Sequence, residues 1–127
     1  MLSISVCIDV PDLAAGVRFY VEAFGLSRIA EPFPGVARMQ GGDIEIDLLE
    51  KAPGSRPFAG AAEVRRYDRH WTPIHLDLHV DDLEAAVARA EKAGARKEQV
   101  IGDPEHGSIA FMSDPFGHGF CLIEKVG

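Results

Sequence analysis

The sequence predicts an α+β protein made of two copies of one βαβββ module. Three observations carry that expectation. Identical residues recur at a constant offset of seventy: Val10 and Val80, Asp12 and Asp82, Leu13 and Leu83, Ala15 and Ala85, Val17 and Val87, Ala23 and Ala93. In each half a segment of strict apolar alternation runs into a segment of helical period. Each helical segment is then followed by three short strand-like runs separated by turn residues.

The elements follow in order. From Ser3 to Val10, residues Ile4, Val6, Ile8 and Val10 take one face of a strand and Ser5, Cys7 and Asp9 the other. Pro11 and Asp12 open a helix, Leu13, Val17, Tyr20, Val21 and Phe24 form its apolar stripe, and Gly25 stops it. Strands follow around 27–30, 37–40 and 44–49, with Gly41-Gly42 as a turn. The segment 51–73, rich in Pro, Gly and Arg, reads as a solvated linker, although its length leaves room for a function or an interface. Ile74, Leu76, Leu78 and Val80 then alternate with His75, Asp77 and His79, and Asp82 caps a helix carrying Leu83, Ala86, Val87, Ala90 and Ala93 up to Gly94. Strands around 97–101, 108–113 and 120–125 complete the second half, with Asp103-Pro104 and Asp114 to Gly117 as turns. The boundaries are thus about 1–50 for the first module, 51–73 for the linker and 74–127 for the second module, within one domain of 1–127.

A chain of 127 residues is long enough for a real core. Its 13 basic against 20 acidic residues give a net charge of −7, which speaks against a nucleic-acid partner, since phosphate binding needs clustered Lys and Arg. No apolar run approaches the length of a membrane span. Met1 to Asp9 holds no basic leader, and the only cysteines are Cys7 and Cys121, so a thiol-reducing cytoplasmic setting is expected.

Two motifs go further: V-x-D-L opening each helix, at Val10 to Leu13 and Val80 to Leu83, and S-D-P-F-G-H-G-F-C-L-I-E over 113–124. With the repeated module they resemble the vicinal oxygen chelate superfamily, which includes glyoxalases, bleomycin-resistance proteins and extradiol dioxygenases, and in particular its small bacterial glyoxalase-like members. The resemblance spans essentially the whole chain. It implies that the mixed sheets of the two modules curl into a cup, commonly across a homodimer, holding a small molecule and a divalent metal such as Zn, Ni, Fe or Mn. The family's first ligand, usually His, stands seven residues before each helix-capping Asp: His75 fits, and Ser5 takes the place in the first module. The family's carboxylate on each last strand is offered by Glu45 or Asp47 in the first module and replaced by Cys121 in the second. His75 and Asp47 are therefore the metal ligands the resemblance implies, with Ser5 and Cys121 at the two altered positions. A hydroxyl binds divalent ions poorly and a thiol favours softer ones, so a lyase, isomerase or dioxygenase here works with a changed ligand set. The alternative is a metal-free cup that sequesters a small molecule.

The remaining polar residues sort around that cup. Glu45, Asp77 and His79 are candidates for acid–base work, the latter two as an imidazole oriented by a carboxylate. Ser5, Cys7, Asp47, Trp71 and Cys121 are candidates for ligand contact. Structural alternatives stand beside each: His75 satisfied by Asp47, Asp77 with His79 as a rim hydrogen bond, both cysteines as packing groups. Arg66, Tyr67, His70 and Trp71 suit a dimer contact, a lid or a grip on an anionic substrate, His106 and His118 sit in glycine-flanked turns open to solvent, and Gly117 and Gly119 permit the last turn.

Overall fold

The structure, a computed structural model, describes residues 1–126. It contains β1 (Val6–Val10), α1 (Leu13–Phe24), β2 (Ser27–Ala30), β3 (Val36–Gly41), β4 (Ile44–Glu50), β5 (Leu76–His79), α2 (Leu83–Ala93), β6 (Arg96–Asp103), β7 (Gly107–Ser113) and β8 (Gly119–Glu124). They form two compact units, one of Met1–Val21 with Gly25–Tyr67, the other of Glu22–Phe24 with the chain from Asp68 onward. Each unit holds a four-stranded mixed sheet, in the orders β1-β4-β3-β2 and β5-β8-β7-β6, with the first pair of each parallel and the rest antiparallel. The two βαβββ modules are therefore real, and their sheets share one topology.

Local chemistry sets the helix ends. Asp12 accepts the Ala15 N–H at 3.0 Å and Asp82 the Ala85 N–H at 3.0 Å, each replacing a partner the first turn lacks. Gly25 and Gly94 close the helices in the left-handed region, at φ 70° and 117°. A second tie is long-range: the Leu13 N–H donates to Glu50 at 2.8 Å and the Leu83 N–H to Glu124 at 3.0 Å, fixing each helix start to the end of its module's last strand.

In the first unit Val10, Ala37, Met39, Ile46 and Leu48 are buried on one sheet face. In the second, Ala110, Met112, Phe120 and Leu122 are buried, as are Leu83, Val87 and Ala90 of α2, which packs on β6, β7 and β8. The last turn of α1 belongs to the second unit, where Phe24 sets its ring edge-on to Phe120 at 5.3 Å.

Three expectations need correction. The first strand starts at Val6 rather than Ser3, leaving Ile4 83% exposed, and β5 starts at Leu76, leaving Ile74 88% exposed. Alternation tells which face a residue takes in a ladder, and the ladders begin only at Val6 with Ile46 and at Leu76 with Phe120. The linker is not simply solvated, because Gly54 N–H bonds to Arg65 O at 2.7 Å, Arg65 Nε to Asp9 at 2.7 Å and the Tyr67 hydroxyl to Lys51 O at 2.7 Å. His118 is half-buried with its ring edge-on to His70 at 5.3 Å, whereas His106 is 80% exposed as expected.

Candidate functional site

Register sorts the second sheet into rows. Asp77, Cys121, Phe111 and Gln99 are consecutive cross-strand neighbours, and so are His79, Ile123, Ile109 and Ile101. These rows lie on the face opposite Phe120, Leu122, Ala110 and Met112, because side chains alternate along a strand. Helix α2 covers the other side and leaves this one uncovered by the helix.

At one edge of that face three metal-binding atoms converge. His75, Asp77 and Cys121 each bring a ligand atom within 4.8 Å of the others. His75 Nδ1 lies 2.9 Å from the Asp77 carboxylate, which leaves Nε2 as the outward nitrogen. The Cys121 thiol donates to Asp77 as well. Cys121 is 1% exposed, and its thiol is pushed up to about 11, first by burial and then by the negative charge and hydrogen bond of Asp77. Asp77 thus pairs with His75, the residue just before β5, rather than with His79, which stands one row along.

A strap crosses the same face. Arg69 makes a two-pronged ion pair with Glu98, and His70 N–H donates to Gly117 O at 2.9 Å. Glu98 can reach Arg69 because the β6–β7 register slips between Lys97 and Gln99, a bulge that re-aims one side chain. The Ser113 hydroxyl steadies Glu98, and together these partners, Arg69 foremost, hold its carboxyl below the ordinary value of 4.5. The strap lays Trp71 against the His75 ring, 4.8 Å between centroids, and near Phe111 at 6.2 Å. Gly119 has an ordinary backbone, and the reason for glycine there is space: a Cβ would overlap the indole. Gly117, at φ 91°, serves the turn, where Asp114 accepts the N–H groups of Phe116 and His118 at 2.8 and 2.9 Å. The Asp114 to His118 part of the closing motif is therefore turn architecture, while Gly119 and Cys121 belong to the open face.

The matching face of the first unit is charged. Cys7, Asp47 and Arg38 are cross-strand neighbours, and the Arg38 guanidinium bonds both oxygens of Asp47, at 2.9 and 3.2 Å, with Glu45 3.9 Å away. Asp47 is thus held by Arg38, with its side chain 13% exposed. Cys7 is exposed, and Ser5 precedes β1. Sequence position had drawn attention to Asp47, Cys7, His75, Asp77 and Cys121. It missed Arg38, Arg69, Glu98 and Phe111, whose partners are known only once register is.

Comparison with known proteins gives consistent matches. Residues 5–123 match the family described as a glyoxalase-like domain. The uncharacterised protein Rv0887c of Mycobacterium tuberculosis is 29% identical over 125 residues, covering 92% of this chain and 71% of that protein. A glyoxalase-related enzyme from Fulvimarina pelagi superposes with a TM-score of 0.76 at 19% identity, covering 98% of this chain and 88% of that one. The fosfomycin resistance protein FosX of Listeria monocytogenes gives 0.75 at 16% identity, with 99% and 96% covered. Lactoylglutathione lyase of Agrobacterium tumefaciens gives 0.66 at 18%, with 97% and 92% covered. At these identities the structural likeness is one of fold.

Proposed function

The chain belongs to the glyoxalase-like domain family, and from that premise we propose that it acts on a small molecule at the open face of its second sheet, with His75, Asp77 and Cys121 holding a divalent metal. The convergence of three unlike donors within 4.8 Å carries this reading. An imidazole, a carboxylate and a thiol form a borderline-soft set that suits Zn(II) or Fe(II) and disfavours Mg(II). Three protein ligands with a fourth position open are the mark of a catalytic rather than a structural zinc-type site. A metal there would supply Lewis acidity toward a ligand oxygen. The side chains set the terms for it: Asp77 fixes the His75 tautomer and accepts the thiol hydrogen bond, so a cation would enter with release of the thiol proton. His79, one row along the same face, is the base this reading assigns to proton transfer. In the first module Asp47 and Glu45 are engaged by Arg38, and their role in this reading is to keep that guanidinium in place.

A second reading is a metal-free binding site, and one observation favours it. With its thiol protonated to about pH 11 and donated to Asp77, the trio is satisfied without any cation. Elemental analysis of untagged protein purified without chelator, with thermal shifts on adding Zn, Ni, Co, Mn and Fe(II), separates the two. The metal reading expects about one ion per chain and a rise in Tm that His75→Ala removes while the fold is kept. Absence of both metal and shift would leave the metal-free site.

A further inference from the structure

Trp71 is the sole tryptophan of the chain, and it is placed with more care than an exposed side chain needs. Arg69 is pinned by the re-aimed Glu98, its guanidinium carbon 5.6 Å from the centre of the indole. His70 N–H is tied to Gly117 O, and Gly119 gives up its Cβ for the ring. The matching residue of the first module, at the same place on the last strand, is Glu45. Yet the indole remains 44% exposed. A large aromatic group held from several sides and still open to water is built to meet something.

What it would meet is set by its neighbours. Beyond the His75, Asp77 and Cys121 donors, the face continues through Phe111 to Ile109, Ile123 and Ile101, and those three isoleucines, with Gly102, Asp103, His106, Gly107 and Ser108, line a hollow at the β6–β7 turn. The rings of Trp71 and Phe111, with the donor atoms of His75, Asp77 and Cys121 beside them, match a flat molecule whose oxygen lies toward those donors. We infer that the ligand of this site is a planar aromatic or conjugated molecule bearing an oxygen donor, stacked on Trp71 over the Phe111 floor. The inference rests on the site proposed above and adds its ligand class: Trp71 selects for flatness, and the strap of Arg69 and Glu98 is the positioning device that holds it.

Because Trp71 is the only tryptophan, its fluorescence reports on this site alone. Salicylate and 1-hydroxy-2-naphthoate serve as planar probes, and cyclohexanecarboxylate as their saturated counterpart. Saturable quenching by the planar probes is expected, with the saturated acid at least about tenfold weaker. Trp71→Leu, followed by equilibrium dialysis of the same probes, should weaken binding about tenfold, and Phe111→Leu should do so by a smaller factor. Equal affinity for flat and saturated probes, unchanged affinity in Trp71→Leu, or no saturable quenching at millimolar probe overturns the inference. Co(II) stoichiometry measured on the same samples keeps the two readings apart. Co(II) bound without planar selectivity sinks the ligand class alone, and planar selectivity without Co(II) sinks the metal alone.

Discussion

At the scale of single residues the second module turns on Cys121. With its thiol pushed up to about 11 by burial and by Asp77, the thiolate is scarce at pH 8. Iodoacetamide at that pH should label exposed Cys7 and spare Cys121, as read by peptide mass spectrometry, and comparable labelling of both would contradict the burial argument. The sign of the pH dependence follows. The fold favours the protonated thiol, so its contribution to stability is complete below the ordinary value of 9.0 and is lost as pH rises toward 11. A metal must displace that proton, so Zn(II) affinity should climb about tenfold per pH unit from 7 to 9. A flat profile in a competition titration would mean that sulfur is not a ligand. Counting residues found Cys121 but not its setting. The cross-strand pair is Cys7 with Asp47 in one module and Asp77 with Cys121 in the other, the same two residue types exchanged. That exchange is invisible until strands are paired, because the two modules keep different spacings after the helix.

Elements show the same division between local and distant causes. The caps at Asp12, Asp82, Gly25 and Gly94 were legible because capping is decided within a turn of chain. The ties from Glu50 and Glu124 were not, since they reach across 37 and 41 residues. Glu124→Ala should cost about 1 kcal/mol in urea unfolding, comparable with loss of the Asp82 cap. An unchanged midpoint would make the tie incidental. The bulge in β6 is the other element that no pattern announced. Arg69 holds the Glu98 carboxyl below 4.5, so the strap is complete above that pH and weakens as pH falls through the lower value. Trp71 emission should therefore shift to longer wavelength as acid protonates Glu98 and return on neutralisation. Gly119→Ala should produce that shift at neutral pH and destabilise the second unit by about 1–3 kcal/mol, because the methyl group and the indole claim one space.

Over the whole molecule the seventy-residue repeat was the most readable feature, and the two sheets of identical strand order are its physical content. Repetition specifies an architecture twice, while the chemistry lies where the copies differ: a charged row of Cys7, Asp47 and Arg38 in one, a donor trio beside aromatic and aliphatic rows in the other. Among the described residues no helix is long and apolar enough to cross a membrane. Met1, Leu2, Ile4 and Ile74 stand at least 83% exposed, more apolar surface at strand starts than a lone chain tends to leave. Light scattering should accordingly give about twice the 13.8 kDa chain mass, and a monomer at micromolar concentration would refute the self-association expected from the resemblance. The most direct measurement of the central claim is Co(II) titration of the metal-free chain, followed by absorption spectroscopy. One equivalent should bind with a near-ultraviolet thiolate-to-cobalt band, which Cys121→Ser removes and His75→Ala prevents, while circular dichroism keeps both variants folded. Saturation without that band, or identical titrations of all three proteins, would contradict a metal held by His75, Asp77 and Cys121.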